Sequence, residues 1–168
     1  MKKKWKIALA IIIGLLSFIA LGYLAAAISS GSLNYAQQYK FKVSKKQLIQ
    51  TIERFKDQNK EFLPPPGYSK PDSVEADVPN FFNIYIYYAD QNSIVYLVID
   101  NDNQDPNEST INFVSINKGL KDPLYKRINK DFDREDNLKI KKDFEKRVLN
   151  KLGLPYKDKG NSMFIFWK

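Results

Sequence analysis

Apolar positions along this chain form one unbroken block, two helical stripes and several alternating runs. The block comes first. Residues from Ile7 to Ile28 carry no charge, a run of 22 residues. As a helix it spans roughly 33 Å, enough to cross a hydrocarbon core of about 30 Å. A secretory signal has a shorter apolar stretch, about 7–15 residues, and a small-residue cleavage site. Ala25, Ala26 and Ala27 would suit such a site. The competing reading is therefore a cleaved signal and a secreted product, but the length favours a transmembrane anchor over 7–28.

The flanks orient that span. Lys2, Lys3, Lys4, Trp5 and Lys6 precede it, and the residues from Ser29 to Tyr39 carry no charge. Lysine excess marks the cytoplasmic side, so the expectation is a cytoplasmic basic end over 1–6 and an exported carboxyl portion. Lys40, Lys42, Lys45 and Lys46 narrow the wider bias without reversing the immediate one. The small, polar stretch over 29–42 reads as a linker, with an extracytoplasmic domain over 43–168.

The first helical stripe lies in "VSKKQLIQTIERFKDQNKEF". Ser44 and Gln47 have the spacing of a capping box, and Val43 can staple onto Leu48. Leu48, Ile52, Phe55 and Phe62 share one face, with Ile49 beside them. The proline-rich run "LPPPGYSKPDSVEADVPN" then forces a loop over 63–80. Three alternating runs follow, "FFNIYIYYA", "SIVYLVI" and "TINFVSI", each bounded by turn chemistry. Alternation sets Phe82, Ile84, Ile86 and Tyr88 on one face of the first strand. Val95, Leu97 and Ile99 are the apolar set of the second, opposite Tyr96 and Val98.

The second stripe, Ile140, Phe144, Val148 and Leu152, predicts a helix from about Arg134 to Leu152. Asp133 is its expected cap, Glu135 and Asp136 suit its first turn, and Gly153 ends it. The closing "SMFIFWK" predicts a last strand. The order is helix, three strands, helix, strand. It implies an α+β two-layer sandwich, with both helices on one face of a four-stranded, mainly antiparallel sheet, preceded by one transmembrane helix.

Charge changes the picture little. The chain is +8, with 27 basic and 19 acidic residues. Four lysines precede the span, so the remainder carries 23 against 19, a net +4. A nucleic-acid binder needs a concentrated basic excess, so none is expected as a partner. Cysteine and histidine are both absent. That excludes disulfides, thiol nucleophiles and the commonest general base and zinc ligand.

The remaining chemistry is sparse. "DNDNQDPNE" has Asp100 and Asp102 where a calcium loop needs oxygens. Asp105 stands where that loop needs glycine, Ile111 where it needs glutamate, and the flanks are strands, so no metal is expected. Asp131, Asp133, Glu135 and Asp136 cluster at a helix start, where capping explains them better than paired-acid hydrolysis. No cofactor, catalytic residue or small-molecule substrate is inferred. Tyr85, Tyr87 and Tyr96 fall on the face opposite the apolar stripes and form the candidate binding surface, since tyrosine is enriched at interfaces.

The expectation is a non-catalytic, single-pass interaction or accessory domain on the outer side of a bacterial inner membrane, with a protein partner. An immunity or inhibitor protein against an exported toxin is the alternative. A secreted or periplasmic product after signal cleavage is the second.

Overall fold

Two side-chain caps decide where the helices start. The computed structural model describes residues 14, 17, 31–68, 70, 72–74, 81–101, 105–120 and 125–161. In it α1 (Lys45–Gln58) begins where the Ser44 hydroxyl accepts from the Gln47 backbone N–H at 3.3 Å. Helix α2 (Arg134–Arg147) begins where the Asp133 carboxylate accepts from the Asp136 N–H at 2.8 Å. Each cap satisfies an amide that the helix itself leaves unpaired, worth about 1 kcal/mol. Glu135 and Asp136 in the first turn of α2, with Lys146 and Arg147 in its last, also match the helix dipole. A short 3-10 turn continues α2 over Leu149–Lys151.

The strands are β1 (Gln37–Phe41), β2 (Ser73–Val74), β3 (Phe82–Tyr88), β4 (Ser93–Asn101), β5 (Ser109–Lys118), β6 (Tyr125–Arg127) and β7 (Tyr156–Asn161). They form one antiparallel sheet in the order β2-β3-β4-β5-β1-β7, with β6 also beside β5. The chain is α+β, as expected, but seven strands replace the four expected ones among the described residues. A bulge explains how β5 serves two neighbours on one side. Its register to β4 shifts between Tyr96 and Leu97, leaving Val114 as the extra residue. Residues 109–113 pair with β1, and residues 115–117 pair with β6.

One expectation needs correcting, and another falls outside the described residues. The stretch over 29–42 is not simply a linker, because Gln37–Phe41 is an inner strand between β5 and β7. Its alternation is plain once seen: Gln37, Tyr39 and Phe41 are buried and Gln38 and Lys40 are partly exposed. Lysine and glutamines in the run masked the pattern. The last strand of the described residues is Tyr156–Asn161, "YKDKGN", whose polar composition hides it. The expected strand "SMFIFWK" over 162–168 lies outside the described residues.

Contacts divide the chain into Met1–Asn34 and Tyr35–Lys168. Among the described residues no helix is long and apolar enough to cross a membrane. The expected span over 7–28, apart from Gly14 and Ser17, lies outside the described residues, as do Lys2, Lys3, Lys4, Trp5 and Lys6.

In the second unit both helices feed one apolar core. Leu48, Ile52 and Phe55 of α1 and Phe144 of α2, with Val148 after it, join Ile84, Ile86, Val95, Leu97, Ile99, Ile111 and Phe113 of the sheet. Phe82 and Ile140 pack at the rim of this cluster. Inner strand β1 delivers Tyr39 and Phe41 to it, both fully buried. The Tyr39 ring lies 5.7 Å from Phe144, and its hydroxyl donates to Glu145 at 3.1 Å.

A polar clasp fastens β1 to α2. Lys141 donates to Gln37 Oε1 at 3.1 Å and to Asn129 Oδ1 at 3.0 Å, while Gln37 donates to Asp158 of β7. Asn129 adopts a left-handed conformation, φ 61°, which asparagine tolerates better than most residues. From there its amide reaches the Tyr35 carbonyl at 2.9 Å. Burial lowers the Lys141 pKa, with Asp158 and Glu145 opposing that shift.

Buried phenols give the fold a pH limit. Burial raises Tyr39 and Tyr88 far above the usual tyrosine range, with Glu145 adding to Tyr39 and Asp143 to Tyr88. Because the folded pKa values exceed the unfolded value of about 10, their contribution is complete below pH ~10 and is lost as pH rises above it. A spectrophotometric titration is expected to show these phenols ionising only together with loss of near-UV circular dichroism. Ionisation of every tyrosine in a folded chain near pH 10 would contradict the burial.

Candidate functional site

Two surfaces of the second unit bear on function, one aromatic and one basic. The aromatic one starts from the register of β3 and β4, which sets Tyr85 directly opposite Tyr96. Such pairs bring side chains within reach across a sheet. The two rings stack at 5.2 Å with 14° between their planes. The structure adds two tyrosines. Tyr68, from the proline-rich loop, meets Tyr85 edge-on at 5.7 Å. Tyr125, from β6, meets Tyr96 edge-on at 6.4 Å. The Tyr68 and Tyr125 hydroxyls close the ring of contacts at 2.8 Å.

This arrangement alters the expected surface. Tyr85 is only 7 % exposed, so its ring is not available on an open face. Tyr96 is half-buried and donates to Asn83 Oδ1 at 2.9 Å. Tyr87, also half-buried, has no ring contact with the others and donates to Asn92 Oδ1 at 3.2 Å. The three tyrosines are thus two cluster members and one outlier. Tyr68 and Tyr125 escaped the sequence reading because neither sits in a periodic run; Tyr68 lies beside prolines, and β6 is only three residues long.

The loop is also pinned at the sheet edge. Strand β2 pairs with β3 only at Asn83 and Phe82. Next along β3, the Asp72 carboxylate takes the place of a strand by accepting from the Tyr85 N–H at 2.9 Å. Lys56 of α1 donates to the Tyr85 carbonyl at 3.0 Å and to Asp72 at 2.5 Å. A lysine and an aspartate thereby satisfy both peptide groups of one edge residue.

The basic surface is a groove between α2, the end of β5 and the β3–β4 turn, with a volume near 530 Å³. Ile116, Phe132 and Ile140 line its base. Its walls carry five cations, Lys118, Lys139, Lys142, Lys146 and Arg147, against two carboxylates, Asp136 and Asp143. Arg147 is fully engaged. It grips Asp90 with two bonds of 2.7 Å, reaches Asp143 at 2.8 Å, and lies 4.9 Å above the Tyr88 ring. Hydrogen bonding to Arg147 holds the Asp90 carboxyl below the usual carboxylate range, and Asp90 in turn raises Arg147. Lys118, Lys139, Lys142 and Lys146 form no ion pair with any described residue.

The sequence carried a faint signal for this groove. "KIKKDFEKR" puts Lys139, Lys142 and Lys146 along one side of a helix, but lysines on a helix usually mark only a solvated face. What distinguishes them is the apolar base beside them, which needs β5 and Phe132 brought in from elsewhere.

The acidic residues are occupied locally. Asp133 caps α2, and Asp131 accepts from the Arg127 guanidinium at 3.0 and 3.2 Å, which lowers its pKa. Asp100 accepts from the Asn112 amide at 3.2 Å, whereas Asp102 lies outside the described residues. Among the described residues no cluster of His, Cys, Asp or Glu could hold a metal ion. No protein-family model, curated protein or solved structure matches this chain.

Proposed function

We propose that this chain is a membrane-anchored, non-catalytic binding protein of the bacterial cell envelope, with the α2 groove as its docking surface. The observation that carries the reading is a groove with an apolar base and, on its walls, four lysines that form no ion pair among the described residues. Uncompensated charge around apolar surface is what a partner of opposite charge would complement. The anchor rests on the uncharged run over 7–28, and the outward orientation on Lys2, Lys3, Lys4 and Lys6 before it. β1 begins at Gln37, so only residues 29–36 separate the end of that run from the sheet. In this reading the binding domain works close to the bilayer.

Fractionation and reporter fusions test the location. The chain is expected in the membrane fraction with its intact amino terminus. A phosphatase fused after Lys168 should be active, and a fluorescent protein that matures only in the cytoplasm should be dark. A mature amino terminus near Ile28 or Ser30 would instead favour the cleaved, secreted form, and a bright fluorescent fusion would reverse the orientation.

A further inference from the structure

The α2 groove is more selective than a simple basic patch, and its composition defines a ligand class. We infer that it docks an acidic segment of a partner protein that inserts one apolar side chain between its carboxylates. The inference rests on the groove being a binding surface, as proposed above, and goes further in naming what binds.

Three features converge. First, Lys139, Lys142 and Lys146 follow one another at helical spacings of three and four residues. They therefore step along α2 by about 4.5 and 6 Å. Side chains on one face of an extended peptide recur about every 6.6–6.8 Å, so two carboxylates with an apolar side chain between them on that face stand about 13 Å apart, a span that the long, flexible side chains of Lys139 and Lys146 can meet. Second, the apolar base formed by Ile116, Phe132 and Ile140 offers nothing to a carboxylate or phosphate. It does suit a single aliphatic or aromatic side chain, and a volume near 530 Å³ is ample for one with its neighbours. Third, Asp136 stands in the wall among the lysines. A dense polyanion such as a phosphate polymer would be repelled there, whereas a peptide brings backbone N–H donors that a carboxylate can accept. The arrangement of cationic rim, apolar centre and one carboxylate besides the Asp143 that Arg147 holds fits an acidic polypeptide better than a phosphate polymer.

The full chain in non-ionic detergent is the material for the test. A short fluorescent peptide with a central phenylalanine and a glutamate two residues to either side is the probe, read by anisotropy. Saturable binding is expected, weakened about tenfold or more when the probe phenylalanine becomes serine, because the buried apolar surface is lost. The same loss is expected from the Lys142→Glu/Lys146→Glu variant, with near-UV circular dichroism unchanged; if that variant misfolds, Lys142→Gln/Lys146→Gln replaces it. Inorganic polyphosphate at matched charge should compete poorly. Polyphosphate that binds as well as the peptide, with no effect of the phenylalanine, would overturn the acidic-peptide class while leaving the groove a binding surface. Failure of both probes to bind, or binding that ignores the lysine changes, would overturn the class and the docking role together.

Discussion

Replacing Phe144 by alanine is expected to destabilise the chain by about 3–5 kcal/mol, the usual cost of emptying a buried phenylalanine site. Phe144 is fully buried and sits where α2 meets the sheet. Its ring packs 4.6 Å from Phe113 of β5 and 5.7 Å from Tyr39 of β1. Truncation would strip contacts from both rings at once. Two aromatic side chains cannot readily shrink into the space, so little of the cavity should close. Urea denaturation of the full chain, followed by near-UV circular dichroism, measures the loss. A cost below about 1 kcal/mol would mean that α2 does not seat on β1 and β5 through this ring.

The second large effect is expected at the sheet edge. Asp72→Ala removes the carboxylate that faces Lys56, whose side chain is 8 % exposed, and leaves the Tyr85 N–H without its acceptor. Removing one partner of a buried ion pair typically costs about 3–5 kcal/mol, because the remaining charge is stranded. Lys56→Met should cost less. Asp72 is 21 % exposed and keeps its bond to Tyr85, so its charge can still find water. The double change should then be milder than Asp72→Ala alone, since no charge is left buried. Denaturation midpoints of the three variants decide it. Equal costs for all three, or a double variant worse than either single, would mean that the pair is not what secures the edge. Because Asp72 anchors the segment that carries Tyr68, its loss should also perturb the near-UV signal of the tyrosine cluster.

How far the sequence determined this fold depends on which forces act locally. The helices were legible to within a few residues, because a cap and a stripe are set by neighbours three or four positions apart. Ser44 with Gln47, and Asp133 with Asp136, needed no distant partner. β3, β4 and β5 were legible for a similar reason, as runs of Val, Ile, Phe and Tyr have few other places to go. The absence of cysteine and histidine likewise narrowed the chemistry through composition alone.

Tertiary structure alone decided the rest. Strand β1 is mostly polar, and only pairing on both sides, with β5 and β7, makes "QQYKF" a strand rather than a linker. β7 is short and lysine-rich, and its conformation comes from the same partner. The candidate surfaces are non-local in the same sense. Alternation put Tyr85 and Tyr96 on one face, but their burial depends on Tyr68 and Tyr125 arriving from a loop and from a three-residue strand. The groove lysines of α2 lie on one helix, yet the apolar base that gives them meaning comes in part from β5 and Phe132. Periodicity reports which face of an element is apolar. It cannot report what arrives to cover that face, because pairing and packing join residues many tens of positions apart.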